Sequence, residues 1–197
     1  IIKNNQSLLR IYNSSTNDPI MNLKAYRDNA KKDTFTLSLD FIAHENLALN
    51  KYLNLLTLSD INLFEGIKYI NVSQRKIEGN IYEISILVQD VGNRNLGIIP
   101  KKSSIILDFS SNVSFLNKSD HPIRIDIGNY NYLNTVSSAA GIGQITNTNF
   151  DGNLCMLRAW KKHLLEEEVK SHYLDLDNVS TNDLELDKNL ILDSKLK

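Results

Sequence analysis

From Phe35 to Phe41 the chain alternates without a break between apolar and polar side chains. Phe35, Leu37, Leu39 and Phe41 fall on one face, and Thr36, Ser38 and Asp40 on the other. A period of two belongs to an extended strand with one buried and one wet face; wound into a helix, the same residues would scatter their apolar groups around its circumference. The pattern returns at Tyr82 to Val88, where Tyr82, Ile84, Ile86 and Val88 point inward and Glu83 and Ser85 outward. It recurs at Ser104 to Phe109 through Ile105, Leu107 and Phe109, and at Ile123, Ile125 and Ile127 around Arg124 and Asp126. Less regular strands are predicted at Leu8 to Tyr12, Tyr52 to Leu58, Ile67 to Ser73 and Phe150 to Trp160. Turn formers such as Glu78-Gly79-Asn80 and the segment 92–97 separate most of them.

This many short strands, joined by polar connections, specify an all-β chain: an antiparallel β-sandwich or a barrel. One short C-terminal helix is expected, from Leu164 to Tyr173. Leu164, Leu165, Val169 and Tyr173 share its apolar face, and Glu166, Glu167 and Glu168 stand at its positive N-terminal end. No succession of strand and helix supports a doubly wound fold.

The 197 residues are 42% hydrophobic, enough for a sizeable core, and the chain reads as one sandwich domain over 1–197. It begins at Ile1 without a secretory pattern, so it is expected to be a fragment of a longer protein. Segment 175–197 is acidic and then apolar at Leu190-Ile191-Leu192, which makes it either a last strand or a lead into a following domain. With 22 basic against 23 acidic side chains, no broad field favours nucleic acid. The longest apolar runs are too short for membrane insertion. A single Cys excludes an internal disulfide framework and a Cys-rich zinc site. Of the six N-x-S sequons, starting at Asn5, Asn13, Asn71, Asn112, Asn117 and Asn178, several are expected by chance in a chain so rich in Asn and Ser, and glycosylation is the less favoured reading.

The stretch Phe150-Asp151-Gly152-Asn153-Leu154-Cys155-Met156-Leu157-Arg158-Ala159-Trp160 is distinctive, together with Leu165-Glu166-Glu167-Glu168-Val169 and Tyr173 after it. It resembles the closing signature of laminin-G-like and pentraxin-like domains of the concanavalin A-like jelly-roll superfamily. Ser104-Ile105-Ile106-Leu107-Asp108 and Ile125-Asp126-Ile127-Gly128 look like two earlier strands of that pattern. The resemblance implies a jelly-roll sandwich and carries no functional residue with it. From the residues alone, Leu154, Met156, Arg158 and Trp160 face one way and Cys155, Leu157 and Ala159 the other. That is the profile of a strand near the centre of a sandwich, with Cys155 a buried, inert thiol and Trp160 a core residue packed against the following helix.

Few constellations offer chemistry. His44-Glu45 lacks the second histidine that a helical zinc pair needs, because Ala48 stands there. His121, His163 and His172 read as structural or surface residues, and Gly141-Ile142-Gly143 lacks the third glycine of a dinucleotide loop. Arg75-Lys76 and Lys101-Lys102 read as solubilising pairs at edges and turns. On a strand, Asp183, Glu185 and Asp187 would project from one face, as the carboxylates of a β-glucanase do, but their order and the absence of a nearby Trp favour a solvated edge. No cofactor is expected. Calcium is left open through Asp175, Asp177 and Asn178, although Ser180 and Leu186 stand where a calcium loop of the helix–loop–helix type needs Gly and Glu.

The long loop from Gly128 to Asn149 places Asn129, Tyr130, Asn131 and Tyr132 together. Aromatic faces among amide donors and acceptors suit a sugar ring, with apolar contact below and directional hydrogen bonds around it. The sequence therefore predicts a non-catalytic recognition module, glycan-binding or adhesive, in a larger extracellular or surface-exposed, toxin or phage-tail protein. Its partners would be a glycan or a protein surface, together with neighbouring domains of the parent chain. The alternatives are a glycoside hydrolase using segment 183–187 and a structural spacer that touches only neighbouring domains.

Overall fold

The computed structural model describes residues 6–13, 19–27, 33–42, 52–62, 66–91, 99–108, 123–128, 153, 155–160, 162–178 and 190–195. Its strands are β1 (Gln6–Asn13), β2 (Pro19–Tyr26), β3 (Thr34–Ile42), β4 (Tyr52–Asn62), β5 (Lys68–Glu78), β6 (Ile81–Asp90), β7 (Lys101–Asp108), β8 (Ile123–Ile127), β9 (Met156–Trp160) and β10 (Leu190–Lys195). The helix α1 (Glu166–Leu174) lies between β9 and β10. The protein is all-β, with antiparallel sheets and, among the described residues, this one short helix.

Strands β1 to β4 form a meander, and β8 returns to lie beside β1, so the first sheet runs β4-β3-β2-β1-β8. The second sheet is β5-β6-β7, and β9 pairs with β10 in a separate ribbon. Register explains why the first two sheets meet. Leu9 lies opposite Leu23, Leu23 opposite Leu39, and Leu39 opposite Leu56, so one line of leucines crosses four strands. Facing it in the same core are Ile84, Ile86 and Val88 of β6, backed by Ile70, Val72, Ile105 and Leu107. Each fully buried Leu or Ile in such a layer contributes about 1.5–3 kcal/mol relative to exposure.

Several expected strands appear within a few residues of their predicted bounds, and β8 matches at both ends. Strand β2 was not expected. Its alternation rests on Met21, Leu23 and Ala25 and it opens on Pro19, which a strand tolerates as its first residue because no ladder bond is yet needed there. Ile125 of β8, expected inward, is exposed, since β8 is an edge among the described strands.

The polar face of β3 corrects the expectation of a wet surface. Thr36, Ser38 and Asp40 are all buried. Ser38 and Asp40 tolerate burial because they are paired: Ser38 Oγ donates to Asp40 at 3.2 Å, and Lys24 on β2 forms an ion pair with Asp40 at 2.5 Å. The same ladder row runs from Asp126 through Arg10 and Asn22 to Asp40, so a line of polar residues crosses four strands on the side away from the leucines.

Two local devices fix the sheet edges. Between Phe35↔Ile61 and Leu37↔Leu58 the register slips, and Asp60 takes up the extra residue with φ 58°, a left-handed conformation that Asp tolerates better than most residues. Lys101 at the start of β7 donates its ammonium to the Asp60 carbonyl and so ties the edges of the two sheets together. Between β5 and β6 the chain reverses through Gly79-Asn80, and φ 46° at Gly79 supplies the positive angle that a two-residue hairpin needs at its first central position.

A third layer covers part of the outer face of the second sheet. Val169 and Tyr173 of α1, with Leu164 just before it, pack on Tyr69 and Leu87. The rings of Tyr69 and Tyr173 sit 6.2 Å apart at 59°, and burial pushes the Tyr69 phenol up to about 12. The helix begins where Glu168 turns back: its carboxylate accepts the Leu165 N–H at 2.6 Å and the Lys162 ammonium at 3.0 Å. That satisfies one of the backbone donors orphaned at a helix start. Leu165, predicted to share the apolar face, is exposed instead, because it is the N-cap residue with extended backbone and leaves the helical phase.

Candidate functional site

The side chains of the second sheet that point away from the core are fixed by register. Arg75 lies opposite Glu83, and Glu83 opposite Ile106; Ser73 lies opposite Ser85, and Ser85 opposite Ser104; Asn71 lies opposite Leu87, and Leu87 opposite Lys102. The helix layer occupies the Leu87 and Tyr69 end. The rest is polar. Ser73 and Ser85 share a hydrogen bond of 2.8 Å, and Arg75 binds Glu83 at 2.8 Å. Lys102 reaches back along its strand to within 4.0 Å of the other oxygen of Glu83. At the border Ile106 is 63% exposed, so a small apolar surface adjoins the charged row.

His163, between β9 and α1, belongs to the same patch. The charges of Arg75, Glu83, Lys102 and Glu168 all act on its imidazole. Desolvation is the largest influence and the Arg75 guanidinium the next, and together they hold its pKa below the ordinary value of 6.5. Nδ1 of His163 is shielded from solvent and has no hydrogen-bond partner. Because the folded-state pKa lies below the unfolded one, the unfolded chain takes up the proton first as pH falls. This group's stabilising contribution is therefore complete above pH 6.5 and lost as the pH drops through and below that value. The denaturant midpoint of wild type minus that of His163→Gln should fall on going from neutral to mildly acidic pH. Parallel pH profiles for the two proteins would show that the imidazole is not perturbed in this way.

The patch can donate hydrogen bonds from a guanidinium, an ammonium and hydroxyls, and it can accept at Glu83. The polar row on the first sheet is different in kind. Arg10 and Asn22 are each 1% exposed and Asp40 3%, so these groups are enclosed. The Arg10 guanidinium meets Ser7 Oγ at 3.4 Å, while Oδ1 of Asn22 has no hydrogen-bond partner.

The predicted site residues Asn129, Tyr130, Asn131 and Tyr132 lie outside the described residues, as do His44, His121, Gly141, Gly143 and the acidic segment 183–187. Asp175, Asp177 and Asn178 are described, and they form a turn at the end of α1. The Asp175 carboxylate accepts the Asp177 N–H at 3.0 Å, the Asp175 carbonyl accepts the Asn178 N–H at 3.1 Å, and Arg158 donates to the Asn178 carbonyl at 2.9 Å. Among the described residues no group of three His, Cys, Asp or Glu side chains could hold a metal ion.

Two expectations about the distinctive C-terminal stretch are corrected. Cys155 is exposed, because it precedes β9 rather than standing inside it. Strand β9 is not central: its five residues are half-buried and pair with β10 alone among the described strands. Trp160 does pack against the helix, stacked on the fully buried His172 with ring centroids 5.1 Å apart at 11°.

Arg75, Glu83, Lys102 and His163 were not singled out together by the sequence. Neighbouring residues of a strand point to opposite faces, so each basic pair splits: Arg75 and Lys102 go to the outer face, while Lys101 turns to Asp60. Counting outward from the Gly79-Asn80 turn would have paired Lys76 with Glu83; the register shift between Lys76 and Glu78 brings Arg75 there instead. Nothing in the sequence places His163 above them. No protein-family model, no curated protein and no solved structure matches this chain.

Proposed function

We propose that this sandwich is a non-catalytic recognition module for glycans, a concanavalin-like jelly roll of the laminin-G-like or pentraxin-like kind, working at the cell surface or outside it as part of a larger adhesive, toxin or phage-tail protein. The observation that carries the reading is the polar patch on the second sheet, where Arg75, Lys102 and Ser104 are exposed while Ser85 at its centre is buried. Arg75, Glu83, Lys102 and Ser104 offer donors and acceptors beside the exposed face of Ile106, which is the mixture a saccharide ring requires. The loop with Asn129, Tyr130, Asn131 and Tyr132 remains the proposed second element of the site.

The charge pattern argues against hydrolysis at this patch. A glycosidase needs two carboxyl groups flanking the scissile bond. Here Glu83 stands between two cations, and Glu168 is engaged by Lys162 and the Leu165 N–H. No described helix is long and apolar enough to cross a membrane, which fits a module that meets its ligand from water.

A glycan array probed with the whole chain tests the reading, followed by titration of Glu83→Ala. We expect saccharide binding without product release, and a loss of about 1–3 kcal/mol of affinity in the variant. Steady hydrolysis of a bound polysaccharide would put the glycoside hydrolase in its place. A blank array would favour a protein surface or a spacer role.

A further inference from the structure

We infer that β9, α1 and β10 form a unit that acid releases from the outer face of the second sheet, with His163 as its proton sensor. The inference is independent of what the patch binds. The three elements follow β8 in chain order, and among the described strands β9 and β10 pair with each other and with no strand of either main sheet. Side-chain packing, not a shared ladder, therefore holds the unit down. Leu164, Val169 and Tyr173, with Trp160 and Leu174, meet Tyr69 and Leu87 in a cluster separate from the main core. Among the described residues that cluster has three buried apolar side chains, against thirteen in the main core, so it is the weaker of the two. An element attached in this way can lift while the sheets stay folded, because local openings span free energies from near zero up to that of global unfolding.

His163 stands where the unit meets the sheet. The charges acting on its ring come from all three strands of the sheet and from the helix: Arg75 of β5, Glu83 of β6, Lys102 of β7 and Glu168 of α1. Both carboxylates are already engaged. Glu168 accepts the Lys162 ammonium at 3.0 Å and the Leu165 N–H at 2.6 Å, and Glu83 faces Arg75 at 2.8 Å and Lys102 at 4.0 Å. An imidazolium would add a fourth cation to Arg75, Lys102 and Lys162 around those two carboxylates. It would also have to donate from Nδ1, which is shielded from solvent and has no hydrogen-bond partner. Burial and then the Arg75 guanidinium accordingly hold the ring below its ordinary pKa of 6.5 while the unit is closed. Released into water, the ring regains that value, so the open form takes up the proton first as pH falls. Closure is fully favoured above pH 6.5 and weakens as the pH drops through and below it. A ring that titrates only in the open form shifts the opening equilibrium by at most about 25-fold between pH 7 and pH 5. The other imidazole of the unit, His172, is fully buried against Trp160.

The test is hydrogen exchange of single amides in the whole chain, followed by NMR at pH 7 and pH 5 and corrected for the intrinsic pH dependence of exchange. The Val169 and Asp175 amides, bonded to the Leu165 and Ser171 carbonyls, report the unit; those of Ser38 and Ile86, in the central strands β3 and β6, report the sheets. Protection at Val169 and Asp175 should fall by about tenfold or more on acidification, while Ser38 and Ile86 hold theirs. The fall should disappear in His163→Gln and persist in Lys170→Gln, a change on the exposed side of α1. If His163→Gln fails to close at pH 7, Arg75→Gln takes its place and should reduce the fall, since it removes a cation beside the ring. An equal fall at Ser38 and Ile86 would show that the unit does not open by itself. A fall that survives in His163→Gln and vanishes in His172→Gln would place the sensor at the other imidazole and overturn the assignment. Unchanged protection at all four amides would end the proposal.

Discussion

Leu37→Ala is expected to cost about 2–5 kcal/mol of unfolding free energy, in the upper part of that range. Leu37 has no exposed surface; it lies opposite Ala25 on β2 and Leu58 on β4, and it belongs to the core shared with Ile84 and Ile86 of the second sheet. A cavity here is walled by rigid strands on both sides, and the short Ala25 side chain cannot move in to fill it. Urea unfolding should show a lower midpoint with an unchanged slope, since the surface exposed on unfolding is nearly the same. Leu165→Ala, the same chemical change at an exposed N-cap, should stay within about 0.5 kcal/mol. If the two variants unfold alike, the face-to-face packing of the sheets is wrong.

Trp160→Ala should cost about 3 kcal/mol, the lower end for buried aromatic residues, because Trp160 is half-buried. The loss comes from its stack on His172 and its contacts with the Leu164, Val169 and Tyr173 cluster. That cluster lies on the other side of the second sheet from Leu37, and the two share no core residues. In the double variant the two losses should therefore add to within about 0.5 kcal/mol. The near-ultraviolet dichroism of the indole should vanish in Trp160→Ala and persist in Leu37→Ala below its midpoint. An unchanged midpoint for Trp160→Ala would show that the helix layer does not depend on the indole.

Strands were readable wherever one face is strongly apolar, as at β3 and β6, because burial and pleat then impose the same period. β2 escaped because Met21, Leu23 and Ala25 make a weak stripe between Asn22 and Lys24, and its strand character comes from pairing with β1 and β3 rather than from its own residues. Ser38 and Asp40 looked wet because alternation reports polarity, not exposure; Lys24, which pairs with Asp40, comes from another strand. Cys155 and β9 were misplaced for a related reason. Two apolar faces suggested the centre of a sandwich, but a ribbon under a helix satisfies the same pattern. The patch was not legible even within its hairpin: the turn alone would set Lys76 opposite Glu83, a bulge between Lys76 and Glu78 puts Arg75 there, and Lys102 comes from a third strand.

The return of β8 to the side of β1 has a consequence for how the chain is made. Leu9 pairs with Ile127, so these two neighbours are separated by more than half the polypeptide. The meander from β1 to β4 and the hairpin from β5 to β6 close short loops and can assemble as soon as their residues are available, but the β1–β8 edge must wait for a distant segment. Such long closures raise contact order and slow folding into the range of milliseconds to seconds. A ribosome would release the four-stranded meander first, with the outer edge of β1 uncovered and its backbone donors and acceptors open to any other strand. The hazard for this chain is therefore greatest before β8 has been synthesised, and a truncated product ending ahead of β8 should aggregate where the full chain does not.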